Sequence, residues 1–486
     1  MDRWWDRDRA LLRYPSRDAT ERNPYQRPGA HGVRESALYA VALLHRDAAG
    51  DRERAERALD AVLAHQVEAP GSVCHGTWRR APGEPVPGER PREWIDYDPN
   101  YREFVGIALL LALEREASLP PGCVAAAEGA LRGAAEGTLA REVPAAYTNI
   151  AILRAFFLAA VGARLGEHSW QRAGEEAAEA VAADYRRLGA FPEHNSPTYA
   201  GIDLEGLALW RTRAPSAAQR ALGAELEATL WRDVARFYHA GLRNLCGPWT
   251  RAYGMDMNGY VAGLGAWIAA VEPEAPAPLP ALGDAVPHAH DYCHVPVIAL
   301  LGAQAPADVR PHLRAFVGER LVLQTIRDAS PRRASAWLAE QVMAGGEHTG
   351  GRHVHWQHHP ATLHWRRSDG GVGWIRLVTA APVDAEAAQG RLAVTVHTGQ
   401  AWLRSAEVAV TLELAAGPGA PAPALRDGAR WQLPGLALRV ATDAPVPGEV
   451  APGAAPDSWR VGWRFAPGTA PRQLHLTLAV DTLPVV

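Results

Sequence analysis

The chain has 486 residues, 48% of them hydrophobic and 21% charged, with a formal net charge of −4. That composition supports roughly two to four domains with buried cores and excludes a disordered chain. All 50 basic residues are arginine, which excludes the enzymes that depend on a lysine amine, among them Schiff-base enzymes, P-loop NTPases and protein kinases. No basic run is interleaved with aromatics, so nucleic acid is not an expected partner.

The charged start of the chain, Met1 to Arg9, has no apolar segment of the signal-peptide kind. No run of about 18 uninterrupted apolar residues occurs either. The expectation is a cytoplasmic protein without a membrane span; removal of a leader would make it periplasmic or secreted. Cys74, Cys123, Cys246 and Cys293 lack CxxC spacing, so neither a disulfide framework nor a zinc knuckle is expected. Up to about residue 315, apolar residues recur at three-and-four spacing over 31–48, 52–67, 101–116, 122–141, 146–165, 168–188, 201–213, 216–242, 256–271 and 293–303. Asn23-Pro24, Pro82-Gly83, Pro87-Gly88, Pro120-Pro121 and a Pro/Ala run at 273–280 punctuate these segments. Roughly ten to twelve helices of similar length, with no sustained heptad, fit an α/α toroid (an incomplete barrel) better than a four-helix bundle. An α-solenoid fits almost as well, but no repeat at fixed spacing supports it.

From about residue 318 the texture changes to short, often alternating strands at 320–326, 334–343, 361–366, 373–379, 391–397, 406–414, 436–441, 459–465 and 474–480. The Pro/Gly/Ala stretch 415–424 is a loop among them. The predicted architecture is an α/α toroid over 1–315 followed by an antiparallel β-sandwich over 316–486.

Four segments carry polar residues that neither a core nor a plain surface selects. Residues 94–103, from Trp94 to Glu103, are dense in aromatics and carboxylates; they line a sugar cleft or simply cap a helix at Asp98 or Asn100. Tyr147-Thr148-Asn149 brings an amide into the apolar helix 146–165, which a polar first turn explains equally well. At 191–199, Glu193, His194, Asn195, Ser196, Thr198 and Tyr199 follow one another around the stiff Pro192 and Pro197. Capping by Ser196 or Thr198, with Asp203 in the first turn, accounts for the hydroxyls but not for Glu193-His194-Asn195. At 249–260, Arg251 stands two residues before Tyr253, with Asp256, Asn258 and Tyr260 beyond. Asp256 reads equally as a helix cap, and Gly254 permits a tight turn that presents Tyr253. A neighbouring guanidinium lowers a phenol's pKa from its usual ~10.

His348, His353, His355, His358, His359 and His364 surround the first strands of the β domain. His353 and His355 share a strand face, but no Cys or carboxylate accompanies them at ligand spacing, so no metal and no cofactor are expected. A contact from this rim into the helical cleft, with His355 touching substrate, is the more useful reading. His288, His290 and His294 form a weaker group of the same kind. Seventeen tryptophans supply indoles that stack on pyranose rings, although Trp170, Trp210, Trp231 and Trp267 fall in amphipathic helices and read as core.

Two chemistries cut a uronic-acid polymer. Hydrolysis needs a carboxylic acid and a carboxylate flanking the bond. β-Elimination removes the C5 proton beside the carboxylate and expels O4, so the carboxylate's charge must be quenched by donors such as Asn, Arg or protonated His. It also needs a base near C5 and an acid near O4, roles that His and Tyr fill. Glu193-His194-Asn195 and Arg251/Tyr253 supply those types at neighbouring loop-to-helix junctions.

The domain order, His194-Asn195 and the Arg251-Ala252-Tyr253-Gly254 segment about sixty positions later resemble the polysaccharide lyases built from an α/α toroid and an antiparallel β domain. Those are the alginate, glucuronan and glycosaminoglycan lyases, which use an Asn/His/Arg/Tyr set. In the toroid alginate lyases the amide precedes the imidazole; here His194 precedes Asn195. The resemblance implies a lyase in which Asn195 and Arg251 neutralise the substrate carboxylate, His194 takes the C5 proton and Tyr253 protonates O4. In a syn elimination Tyr253 serves as both base and acid. Asn149, Glu193, Tyr199, Tyr147, Tyr260 and His355 are expected to contact an acidic polysaccharide or oligosaccharide. Tyr199 and Tyr260 are the other candidate phenols; Tyr253 is favoured because it adjoins Arg251 and Gly254. Two further readings are a glycoside hydrolase pairing Glu193 with Asp256 or Asp203, and a non-catalytic carbohydrate-binding protein.

Overall fold

A computed structural model describes residues 1–15, 25, 27–281, 283, 286–327, 330–351, 357–425, 428–455 and 457–481. A small antiparallel sheet of β1 (Trp5–Asp6), β2 (Leu11–Arg13) and β3 (His31–Gly32) leads into the helices. These are α1 (Val33–Arg46), α2 (Asp51–Leu63), α3 (Tyr101–Leu113), α4 (Pro121–Ala140), α5 (Thr148–Leu165), α6 (His168–Leu188), α7 (Ala200–Arg213) and α8 (Ala217–Phe237). A hairpin of β4 (Tyr238–His239) and β5 (Asn244–Leu245) follows, then α9 (Gly263–Val271), α10 (Val295–Leu301) and α11 (Arg310–Arg314). Local chemistry sets several ends: Pro121 opens α4, Ser216 caps α8 by accepting from the Gln219 N–H, and Gly166 and Gly189 close α5 and α6 in the left-handed region.

The helices form two concentric layers. Along the inner layer α1 packs on α3, α3 on α5, α5 on α7, α7 on α10, and α10 back on α1. Helices α2, α4, α6 and α8 lie outside, each returning the chain to the end where the next inner helix starts. Burial follows the layers: α3 buries 11 of its 13 residues, α2 only 5 of 13. Helix α5 has the length and apolarity to cross a bilayer, yet 72% of it is buried at the centre of this ring.

The β domain is one 13-stranded antiparallel sheet, with β6 (Arg320–Ile326), β7 (Arg332–Ala339), β8 (Val342–His348), β9 (Ala361–Arg366), β10 (Val372–Thr379), β11 (Val383–Ala388), β12 (Arg391–Val396), β13 (Val408–Ala415), β14 (Ala429–Leu433), β15 (Leu436–Thr442), β16 (Glu449–Pro452), β17 (Ser458–Phe465) and β18 (Leu474–Val480). Its order is β14-β15-β18-β12-β11-β8-β9-β10-β13-β17-β16, with β7 joining β8 to β6. The sheet curls until its halves face each other. Trp365 of β9 donates its indole N–H to Pro434 in the β14–β15 turn at 2.9 Å, and a single apolar cluster includes Leu363, Leu392, Trp431 and Leu478. The two expected faces of the sandwich therefore belong to one continuous sheet.

Several elements depart from expectation for local reasons. The helix expected over 256–271 starts only at Gly263, because Asp256 turns the chain by accepting from the Asn258 and Gly259 N–H groups. The strand expected over 334–343 is a hairpin, β7 and β8, whose register pairs Ala339 with Val342. Strands β11, β14 and β16 went unforeseen; rich in Ala, Glu, Gln and Arg, they owe their conformation to paired neighbours and not to propensity.

The helical core continues into the β domain through Val322, Ala336, Leu338 and Met343. At this seam Gly345 meets the backbone of Gly247: a Cβ on Gly345 would lie 2.0 Å from the Gly247 carbonyl. Gly345→Ala is expected to lower stability by about 1–3 kcal/mol through overpacking. Gly129→Ala, on an exposed face of α4 with nothing within 4 Å of the added methyl, is expected to raise it by about 0.5–1 kcal/mol. Urea midpoints of the two variants check both signs.

Candidate active site

The two-layer arrangement gathers the N-terminal ends of the inner helices at one rim. Tyr147, just before α5, accepts from the Asn100 amide before α3 at 2.9 Å. Glu193, in the loop before α7, accepts from the Asn149 backbone N–H in the first turn of α5 at 3.1 Å. Tyr199, next to α7, accepts from Arg251 in the loop before α9 at 2.7 Å. Tyr253 of that loop stacks on His288 ahead of α10, with ring centroids 4.6 Å apart and planes 5° off parallel. Asp291 lies 3.3 Å from Arg34 in the first turn of α1, and Arg34 sits 5.4 Å over Phe104 of α3. The circle closes, and the positive ends of the inner helices face one cleft suited to an anion.

Arg251 is the hub. Its Nη1 donates to Glu193 at 2.6 Å, its Nη2 to the Tyr199 hydroxyl at 2.7 Å and its Nε to Gln357 of the β domain at 2.8 Å. The guanidinium also lies 3.8 Å over the Tyr199 ring. Ser196 fixes the two loops together: its hydroxyl donates to the Arg251 carbonyl at 2.5 Å and accepts from the Tyr199 N–H at 2.9 Å. A second constraint is the close approach of α7 to α9, where a Cβ on Gly201 would lie 2.3 Å from the Gly263 carbonyl carbon. Together these bring the Tyr199 and Tyr253 hydroxyls to 2.5 Å. Burial pushes both phenols up, and Arg251 counteracts it at Tyr199. A guanidinium only donates, so the Tyr199 oxygen accepts from Arg251, and a phenolate there would accept from Tyr253 as well. Of the two, Tyr199 is the better placed to ionise.

Not every expected residue joins this cluster. Asn195 gives both amide hydrogens to carbonyls, Cys246 at 2.8 Å and Pro248 at 2.7 Å. Its own backbone is left-handed, at φ 53°. With its donors spent on the turn beneath it, the expected neutralisation of a substrate carboxylate by Asn195 is corrected to a structural pin. His194 packs edge-on against Phe237, and its charged neighbours are Glu347, Arg332 and Arg236 instead of Arg251. Burial pushes its imidazole down to about 3, which disfavours its expected role as the base; its Nε2 is buried with no partner among the described residues. Tyr260 is buried with its ring over Gly254 and its hydroxyl 3.5 Å from Thr198, a wedge under the loop. His355, like His353, lies outside the described residues.

Asn149 gains importance instead. It is 1% exposed, and its side-chain Nδ2 has no partner among the described residues, a donor whose desolvation costs about 1–3 kcal/mol unless a ligand or water meets it. Gln357 is the residue missed; the His-rich stretch beside it was the available signal. Trp94, 48% exposed, stands at the rim beside Tyr147 with the Arg141 guanidinium 5.8 Å over its ring. The carboxylates of the hydrolase reading are engaged elsewhere. Both Glu193 oxygens accept hydrogen bonds, Asp203 is 2% exposed with burial pushing its carboxyl well above the usual range, and Asp256 holds Asn258 in a separate pocket with Arg243 and Arg366. In the β domain His358 bonds the buried Glu347 at 2.8 Å, and Asp384 takes His397 at 2.9 Å with His348 at 3.7 Å.

Residues 1–303 match the family model described as Domain of unknown function (DUF8769). The chain belongs to this family. Residues 319–449 of this DUF8769 chain match a second model, Domain of unknown function (DUF8770). No curated protein matches it. Among solved structures it is similar to the crystal structure of heparinase III, at 9% identity over 92% of this chain and 76% of that one, with a TM-score of 0.49. It is also similar to endoglucanase CelQ from Clostridium thermocellum complexed with cellotriose, at 10% identity over 93% of this chain and 85% of that one, with a TM-score of 0.27.

The structural assignment of His194 has a pH signature. Its folded pKa of about 3 lies below the unfolded value of ~6.5, so the unfolded chain binds the extra proton between these values. Its stabilisation is complete above about pH 6.5 and falls as pH drops, by at most ~1.4 kcal/mol per unit. His65, His239 and His364, each lowered to about 4, act in the same direction and are common to wild type and variant. Urea midpoints at about pH 7 and about pH 5 are expected to differ less in His194→Gln than in wild type.

Proposed function

We propose that this chain is a polysaccharide lyase that cleaves a uronic-acid-containing glycan by β-elimination. The observation that carries the reading is the Tyr199 oxygen, held between the Arg251 guanidinium and the Tyr253 hydroxyl where the inner helices begin. A phenolate at Tyr199 takes the C5 proton, the electron pair forms the C4–C5 double bond, and the C4–O4 bond breaks. The same phenol returns the proton to O4, a syn elimination in which one group is base and then acid.

The carboxylate beside C5 must be quenched while charge builds on the carbanion. The Asn149 amide and the convergent helix ends supply donors for it. Glu193 acts as a positioning residue: it grips Arg251 and the Asn149 backbone, which sets the phenol and the amide relative to each other. Tyr147 and Trp94 offer aromatic surface for neighbouring sugar units. Hydrolysis is disfavoured because the three acids considered for it are bonded or buried.

The test is ultraviolet absorbance of the 4,5-unsaturated product against a panel of uronate polymers. Tyr199→Phe is expected to lower kcat by about 10²–10⁴-fold with an unchanged circular dichroism spectrum. Tyr253→Phe is expected to be milder and to steepen the requirement for high pH, because the Tyr199 phenolate loses a donor. New reducing ends without the chromophore would establish hydrolysis instead, and saturable binding with no product would establish a carbohydrate-binding protein.

A further inference from the structure

The short helical turn before α10 holds a cluster that the elimination does not use. His288 adopts a left-handed backbone, φ 59°, and the turn from Ala289 to His294 then brings His288, His290 and Asp291 together. One donor atom from each lies within 4.8 Å of the others. His294, grouped with them on sequence, points instead to Glu205 at 2.8 Å. The three side chains are sheltered, 5%, 11% and 19% exposed respectively.

Their spacing is informative. His288 Nδ1 lies 3.6 Å from Asp291 Oδ2, and His290 Nε2 lies 3.6 Å from Asp291 Oδ1. These separations are too long for good hydrogen bonds. They approach the edge of a tetrahedron with bonds of ~2.1 Å, which is about 3.4 Å. The other ring nitrogen of His290, Nδ1, is buried with no partner among the described residues. The charges facing the cluster also leave room for a cation. Arg34 donates a long hydrogen bond to Asp291 Oδ1 at 3.3 Å, but it also gives two to Glu35, at 3.0 and 2.7 Å, so one cation faces two carboxylates and a negative charge is left over. Tyr14 meets His290 edge-on and Tyr253 stacks on His288, both contacts that hold the imidazoles in place.

We propose that His288, His290 and Asp291 bind one divalent transition-metal ion of the zinc class. Two imidazoles and a carboxylate leave the fourth position to water, the ligand set of an open zinc site. Through the His288 ring the ion fixes the face on which Tyr253 rests. This site goes beyond the lyase reading and does not depend on it.

The experiment uses the full-length protein stripped with a chelator, titrated with zinc chloride by calorimetry and with cobalt(II) by visible absorbance. One equivalent per chain, the intense cobalt bands of a tetrahedral site and a rise in Tm on adding zinc are expected. His290→Gln and Asp291→Asn are each expected to weaken zinc by more than the 10–100-fold typical of losing an outer partner, with stripped variants melting where stripped wild type does. X-ray absorption of the zinc-loaded wild type, expected to count two imidazoles, reads the ligands even if a variant fails to fold. Absence of heat, cobalt bands and Tm shift overturns the proposal. So does loss of the site in His397→Gln with retention in His290→Gln, which would put the ion on Asp384.

Discussion

The Arg251 guanidinium is the interaction on which the cleft depends. It is largely buried, and its three nitrogens tie together two structural units: the loop before α7, through Glu193 and Tyr199, and the β domain, through Gln357. A buried charge is tolerable only when paired and hydrogen-bonded, and removing one partner leaves the other uncompensated. Arg251 and Glu193 therefore stand or fall together. Because Glu193 also accepts from the Asn149 backbone, the start of α5 is tied into the same unit. Lysine, a single ammonium, would not reproduce three bonds in a planar fork.

The toroid explains why such a hub is possible. Outer helices carry the chain back after each inner one, so every inner helix starts at the same rim and every loop that precedes one ends there. Segments distant in sequence, at 94–103, 147–149, 191–199, 249–260 and 288–294, become neighbours, with left-handed residues at Trp94, Asn195 and His288 making the turns that three of them need. The β domain contributes from the side, through the Trp249–His359 bridge and the Gln357 bonds to Arg251 and Ala252. The same geometry places His288 against the ring of Tyr253.

Helices and most strands were legible because apolar periodicity is a local property. The β7–β8 hairpin was not, since its alternation runs straight through a two-residue turn with no glycine or proline to mark it. The polar segments were also legible, as departures from what cores and caps require. The direction of each side chain within them was not. Glu193, His194 and Asn195 are consecutive, yet they reach Arg251, Phe237 and the Cys246–Pro248 turn respectively. Residue type named the segment, while packing sets Tyr199 on Arg251 and Asn195 on the Cys246–Pro248 turn. The histidine group at 288–294 failed in the same way: identity suggested His294, and the turn delivered Asp291.

If the site takes an acidic sugar as proposed, the charges around Arg251 limit how the sugar is held. Arg251 is matched by Glu193, and Arg34 by Glu35 and Asp291, while the chain as a whole carries −4. Among the side chains themselves, attraction for a carboxylate does not come from surplus cations. It falls to neutral donors, the unpartnered Asn149 amide above all, and to the partial charges at the starts of the inner helices. Such fixed dipoles do not have to be stripped of a tightly held hydration shell, and they stay aimed as charge moves from C5 toward the carboxylate, which is when stabilisation accelerates the reaction. They also act over a single turn and little beyond. A cleft built this way discriminates by where the carboxylate sits on the ring more than by how many charges the polymer carries.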